Sequence, residues 1–259
     1  MKLDSQSKLR ALRRKMIEVA SSAKEGHLPS SLSILDLLWV LYSEILQIDP
    51  KNPTAHNRDR FILSKGHASL GLYAVLSEFG FFDVSELSTF GKFSSRLGGH
   101  PDTTKVPGAE ASTGSLGHGF PMAVGAALAM KIQKNPAKVF CIVGDGECNE
   151  GSIWESALIA THHKLDNLTC IVDFNHSTDR ALQLGDLVKK FESFGWNAIS
   201  INGHDHEEIR SAFTQSEKPL AIIAETIKGY GCKSLENNPS WHHRSPSSEE
   251  VEGLIKELR

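Results

Sequence analysis

Leu9, Leu12, Met16, Val19 and Ala20 recur at helical spacing with charged residues between them, which predicts an amphipathic helix over residues 6–23. Ser31 to Leu46 is apolar around most of a helical circumference, so a second, buried helix is expected there. From residue 62 onward short apolar runs alternate with helical patterns. Ile62-Leu63 reads as a short strand, followed by a helix over Ala68–Phe79 and another over Gly117–Lys134. The last of these carries small residues at Ala123, Gly125, Ala126, Ala127 and Ala129, a surface that packs closely. Strands are predicted at 139–144, 168–173, 197–201 and 220–226, separated by helical segments near 152–163, 186–194 and 206–215. This βαβα order implies an α/β fold with a mostly parallel sheet and helices on both faces. Residues 233–247 have turn composition and read as a surface loop before a final helix. Neither an internal repeat nor a low-complexity linker divides the chain, so a single domain over 1–259 is expected.

Composition narrows the function without naming it. A net charge of −3 with no richly basic face argues against a nucleic-acid binder, and Arg13-Arg14-Lys15 reads as the solvated side of the first helix. Cys141, Cys148, Cys170 and Cys232 form no Cys-x-x-Cys pair, and two of them fall in predicted buried strands. Reduced core thiols and a cytoplasmic setting follow as the expectation. The amino terminus lacks a signal peptide's apolar core and no apolar run is long enough to cross a bilayer, so no membrane role is expected.

Chemistry concentrates where two of the strands end. Val139-Phe140-Cys141-Ile142-Val143 is an uninterrupted apolar run, as a strand buried on both faces would be, and it stops at Gly144-Asp145-Gly146. Glycines there allow a sharp turn and a close approach to a bound group. Thr169-Cys170-Ile171-Val172 is a similar run ending at Asp173-Phe174-Asn175. If the two strands are neighbours, Asp145 and Asn175 emerge together at the carboxyl edge of the sheet, where open α/β sheets bind ligands. A carboxylate and an amide oxygen suit a hard divalent cation that takes its remaining ligands from water and phosphates. The pair reads as a magnesium–diphosphate anchor; a plain strand-to-helix turn is the simpler alternative.

Gly144-Asp145-Gly146-Glu147 through Glu150-Gly151, Trp154-Glu155 and Asn175 resembles the thiamine diphosphate motif of transketolases, in particular the amino-terminal subunit of transketolases split over two chains. The resemblance covers nearly the whole chain. It extends to Gly26-His27, the run Arg58–His67, Gly99-His100-Pro101, Ser112–Gly117 and Lys228-Gly229-Tyr230-Gly231. It implies cofactor contacts from His67, Gly114, Ser115, Leu116, Gly144, Asp145, Gly146, Glu147 and Asn175. Magnesium, or calcium or manganese in its place, would be held by Asp145, Asn175 and the backbone carbonyl of Ser177. By the same resemblance His27, His100 and His242 lie near the thiazolium carbon and the sugar hydroxyls, where a histidine supplies or orients a proton. Gly114 lies against the aminopyrimidine, Leu116 helps bend the cofactor, and Glu150 joins a carboxylate relay across a subunit interface. Glu150 has the alternative reading of an early-turn helix residue. Trp154 and Glu155 read as packing and capping residues, and His162, His163, His204 and His206 as residues without chemistry.

The implied activity is transfer of a two-carbon ketol unit from a ketose to an aldehyde acceptor, an aldose. In transketolases the glutamate that activates the cofactor's pyrimidine comes from a second domain, for which this sequence leaves no room. A separate subunit carrying the pyrimidine-binding and carboxyl-terminal domains is therefore expected, in an α2β2 assembly. Some residues depart from the family pattern: His176-Ser177-Thr178-Asp179-Arg180 follows Asn175, His118 stands where glutamine is usual, and His243 replaces a glycine. These departures put the ordinary pentose phosphate substrates in doubt. The alpha subunit of a 2-oxoacid dehydrogenase shares the Gly-Asp-Gly to Asn spacing and is the main rival; deoxyxylulose phosphate synthase and a non-catalytic thiamine diphosphate-binding paralogue are the others.

Overall fold

The computed structural model describes residues 5–179, 181–213 and 216–259. Five strands, β1 (Arg60–Leu63), β2 (Val139–Gly144), β3 (Leu168–Phe174), β4 (Asn197–Asn202) and β5 (Leu220–Glu225), form one sheet in the order β1-β2-β3-β5-β4. Every pairing is parallel. Side chains alternate between two cores. Phe61, Leu63, Phe140, Ile142, Ile171 and Ile222 enter one, and Ile62, Val139, Cys141, Val143, Cys170, Val172 and Ile223 enter the other. Both faces are therefore covered, which is why these strands read as unbroken apolar runs.

Helices α1 (Ser5–Ala23), α2 (Leu28–Ser33), α3 (Leu35–Val40) and α4 (Ser69–Glu78) pack on the first face. The second takes α5 (Gly119–Ile132), α6 (Gly151–His162) and α7 (Leu187–Ser193). The chain steps forward through β1, β2 and β3 with α5 and α6 on one side. It passes over β5 to β4 through α7, then returns to β5 through α8 (His206–Ala212) on the opposite side. Reversing direction while keeping right-handed crossovers moves the connecting helix to the other face. The final helix α9 (Ser248–Lys256) starts with a capping box between Ser247 and Glu250.

Four expectations need correction. The buried second helix starts earlier, at Leu28 with Pro29 in its first turn, and is broken at Ile34, where φ is −103° and ψ is 2°. The break turns the Ser33 hydroxyl onto the Ser30 carbonyl (3.0 Å) and the Asp173 carboxylate (2.8 Å). Arg13 does not belong to a solvated face: it is 2% exposed and its guanidinium meets Asp36 at 2.7 Å. The long helix before β2 begins at Gly119, because Gly117 sits at a φ of +78° that no helix tolerates. The helix expected over 206–215 ends at Ala212, and residues 214 and 215 lie outside the described set. All four cysteines are buried and free, as core thiols. Among the described residues no helix is long and apolar enough to cross a membrane.

Candidate functional site

Gly144 at the end of β2 is paired with Asp173 on β3, so the residues that follow leave the sheet side by side. Asp145, 2% exposed, accepts from its neighbour's amide, Gly146 N (2.7 Å), and from Ser177 Oγ (3.1 Å), with Thr178 N at 3.4 Å. Asn175, 6% exposed, accepts from Ser177 N at 3.1 Å. The predicted metal ligands Asp145, Asn175 and Ser177 are thus brought together at the carboxyl edge. No lysine or arginine among the described residues forms an ion pair with Asp145. No group of three His, Cys, Asp or Glu side chains suited to a metal occurs among them either. One carboxylate and one amide need further oxygen donors from a ligand to complete a hard-cation shell.

Beneath this pair lies a polar hub that the sequence pattern does not single out. Asp173, fully buried, accepts from Ser33 Oγ (2.8 Å), Asn175 Nδ2 (2.8 Å), Thr226 Oγ1 and the Lys65 ammonium. Burial alone would raise its pKa, but the Lys65 charge and the surrounding donors hold it below the usual carboxylate value. An ionised carboxylate only accepts, so the Asn175 NH2 must face Asp173 and its carbonyl oxygen must face Ser177 and the edge. Lys65 is 1% exposed and also reaches the Ser30 carbonyl at 3.3 Å. The signal was an acidic residue inside an otherwise apolar strand, which burial makes costly unless it is paired.

A glycine-lined loop borders the edge. A Cβ on Gly66 would lie 2.6 Å from the Thr113 carbonyl, and one on Gly114 would lie 2.8 Å from the His100 ring, so the two backbones meet without side chains between them. Glu147, 1% exposed, takes Gly117 N (2.9 Å), Gly144 N (3.2 Å) and Ser64 Oγ. Its carboxylate is occupied by the protein, so it shapes the loop from behind, and burial raises its pKa against those hydrogen bonds. Ser115 is exposed and Leu116 half-buried beside it. Glu150 is exposed at the start of α6, its stem against Gly117.

His27, His67, His242 and His243 form one cluster, with ring centroids 5.0, 5.8 and 4.6 Å from His27 to the other three in that order. His100 stands apart on the Gly114 side. His27 adopts a left-handed φ of 64°, and its Nδ1 is buried without a hydrogen-bond partner. Burial and the neighbouring His243, His242 and Lys228 push its pKa down to about 4. His67 is pushed down to about 2 by burial first and Lys65 second. Both rings are neutral near pH 7. Lys228, which stands out in the sequence only as part of a glycine-rich motif, lies 3.1 Å from His242 Nδ1 and is lowered to about 8, mainly by burial. A lysine ammonium only donates, so His242 Nδ1 accepts and Nε2 carries the ring proton. Lys228, His242, Asn175, Ser177 and Thr226 line a cavity of about 240 Å³. A larger cavity of about 760 Å³ opens at the amino edge of the sheet, beside Lys138, Thr169 and Leu220, away from these groups.

The depressed pKa of His27 has a consequence for stability. The unfolded ring titrates near 6.5 and the folded one near 4, so acid favours the unfolded chain. This contribution is intact above pH 6.5 and is lost as pH falls toward 4. Urea midpoints measured at pH 7.5 and 5.0 are expected to drop on the acid side, and His27→Gln is expected to flatten part of that drop.

Of the departures noted in the sequence, His118 is exposed with Nδ1 3.1 Å from the Leu116 carbonyl. The backbone of His243 lies where a Cβ on Gly26 would collide with it. His176, at φ 59°, bridges Asp179 and Glu225 at 3.0 Å each. Arg180 lies outside the described residues.

The family described as the transketolase, thiamine diphosphate binding domain matches residues 4–258. An apulose-4-phosphate transketolase subunit of Phocaeicola vulgatus is 38% identical over 255 residues, covering 95% of this chain and 90% of that one. A 6-deoxy-6-sulfo-D-fructose transketolase subunit from a Clostridium species is 37% identical over 265 residues, covering 99% and 96% of the two chains. The Campylobacter jejuni transketolase structure superposes with a TM-score of 0.88 at 37% identity, over 97% of this chain and 41% of that one. The Leishmania mexicana enzyme gives 0.90 at 26% identity, over 99% and 41%. This chain therefore spans about two-fifths of the length of these solved transketolases. With the Asp145–Asn175 edge, the glycine loop and the histidine cluster in one place, the chain belongs to the transketolase family, as a thiamine diphosphate-binding chain of its amino-terminal type.

Proposed function

We propose that this chain is the cofactor-holding subunit of a two-chain transketolase that moves a two-carbon ketol unit from a ketose to an aldose. The observation that carries the reading is the buried Asp145 beside Asn175, with no cationic partner among the described residues and with the Asn175 amide turned by Asp173. The residues fit the cofactor on two further counts. His27 Nδ1 is buried and unpartnered, and Lys228 and His242 line a cavity beside the anchor.

Asp145, Asn175 and the Ser177 carbonyl would hold magnesium, and His67, Gly114, Ser115, Leu116, Gly144, Gly146 and Asn175 would line the cofactor, with Glu147 bracing them. Thiamine diphosphate supplies, when bound, a nucleophilic carbon and an electron sink for carbon–carbon cleavage. The protein's own task is to orient the sugar and to manage its protons. His242, with its proton on Nε2, is a donor to a sugar oxygen, and neutral His27, together with the His100 ring, accepts from or donates to hydroxyls as the carbonyl becomes an alkoxide. Glu150, exposed at the start of α6, is available to a carboxylate on a neighbouring subunit.

The Phocaeicola and Clostridium relatives are named for a phosphorylated and a sulfonated ketose, which supports a donor with an anionic end. Both are named as transketolase subunits, which also supports a separate partner chain carrying the pyrimidine-binding and carboxyl-terminal domains, in an α2β2 assembly. Four buried free thiols support a reducing, cytoplasmic setting. The test is reconstitution. The purified chain with thiamine diphosphate and magnesium is expected to show less than roughly one-hundredth of the ketol transfer seen once the partner is added. Full activity of the chain alone would refute the two-chain reading, and acylation of lipoamide in place of ketol transfer would refute the transketolase reading in favour of a 2-oxoacid dehydrogenase subunit.

A further inference from the structure

We propose that His204 is a positioning residue for the cofactor site, holding the backbone of the 226–231 loop so that Lys228 reaches the cavity beside Asn175 and His242. No sequence motif marks this histidine for chemistry, yet it joins two networks. On one side its Nδ1 lies 3.2 Å from Asp36 Oδ2, and Asp36 also receives Arg13 at 2.7 Å and His206 Nε2 at 3.1 Å. On the other, the amide of Ile227 donates to its Nε2 at 2.9 Å. A ring nitrogen that accepts an amide proton carries none itself, so His204 is the neutral tautomer with its proton on Nδ1, facing the carboxylate.

Ile227 immediately precedes Lys228. The loop is also fixed by Thr226 Oγ1 on Asp173, Thr226 N on the Phe174 carbonyl at 3.1 Å, Gly229 N on the Pro29 carbonyl at 3.0 Å, Asn237 N on the Lys228 carbonyl at 2.8 Å, Arg259 N on the Gly231 carbonyl at 3.2 Å and Gly231 N on Glu236 at 3.1 Å, while His204 holds the Ile227 amide. The Tyr230 ring stacks on His204 with centroids 3.5 Å apart and planes 13° apart, and Arg13 lies over the same tyrosine at 5.3 Å. Lys228 needs such support. It is half-buried near Lys65, which disfavours its charge, and it donates to the unprotonated Nδ1 of His242. A loop left to relax would carry the ammonium outward to water. The Ile227–His204–Asp36 chain opposes that by tying the loop to α1 and α3.

The proposal rests on the cofactor reading of the cavity, and two substitutions at one position separate its parts. His204→Phe keeps the stack on Tyr230 and removes the acceptor; His204→Gln restores an acceptor for Ile227. In calorimetric titrations of the full-length chain with thiamine diphosphate and magnesium, His204→Phe is expected to raise Kd roughly tenfold and His204→Gln to return it to within about threefold of the parent. Thermal midpoints are recorded for both. Equal weakening in the two variants, in step with equal losses of thermal midpoint, would mean a merely structural histidine and overturn the proposal. Lys228→Met in the same titration guards the premise. An unchanged Kd there removes Lys228 from the site and the proposal with it, whereas a raised Kd for Lys228→Met beside a normal one for His204→Phe overturns the positioning role alone.

Discussion

Asp145→Ala is expected to weaken magnesium-dependent thiamine diphosphate binding by at least about a hundredfold, with little change in thermal stability. The carboxylate is buried but its protein partners are few: its neighbour's amide, the Ser177 hydroxyl and the Thr178 amide. Removing it leaves small groups close to solvent that water can satisfy. What is lost is the charged oxygen for the cation, and with it the bridge to the diphosphate. Asp145→Asn keeps the shape and removes the charge, so an intermediate loss of roughly tenfold is expected. Calorimetric titrations with and without magnesium check both. Wild-type affinity in Asp145→Ala would mean that the edge of β2 and β3 is not the cation site.

Asp173→Leu should act in the opposite way, on the fold first. Asp173 and Lys65 are 0% and 1% exposed at the side chain, and removing one partner leaves the other charge buried without compensation. Such losses cost about 3–5 kcal/mol. For a chain of this size each kcal/mol moves the thermal midpoint by about 2–4 °C, so a drop on the order of 10 °C is expected. Adding Lys65→Met removes the stranded ammonium and is expected to recover part of the stability, since apolar replacement of a buried ion pair is often neutral. Cofactor binding should not recover with it. Ser33, Thr226 and Asn175 would still lack their acceptor, and the Asn175 amide would be free to turn. Thermal melts paired with calorimetry separate the two effects, and recovery of both together would show that Asp173 serves stability only.

The strands and the Asp145–Asn175 pair were legible because both are local signals. A strand buried on two faces must be apolar throughout, and a parallel neighbour of known length places the following residues within reach. The family resemblance grouped His27, His100 and His242, with His67 as a separate cofactor contact; the structure clusters the rings of His27, His67 and His242 and sets His100 on the Gly114 side. What stayed hidden were pairings across long stretches of chain. Arg13 sits among exposed residues of α1 and looks like one of them; its burial depends on Asp36 and on histidines 168 and 170 positions beyond that aspartate. Lys65 looks like part of a turn until Asp173, 108 positions later, is placed against it. The break at Ile34 is equally non-local, since neither Gly nor Pro stands between Ser30 and Val40 to mark it and the Ser33 hydroxyl beside it meets a carboxylate 140 positions away. Periodicity reports which face is buried, not which polar group waits there.

Asp173 gathers donors from four places in the chain: the end of α2, the turn after β1, its own strand's exit and the residue after β5. Segments joined in this way lose their freedom when the polypeptide folds, long before any small molecule arrives. Loading the chain with its coenzyme should then resemble insertion into a rigid socket, with little ordering entropy left to lose. Amide protons around residues 30–33 and 173–175 should exchange at nearly the same slow rate in the bare and loaded forms.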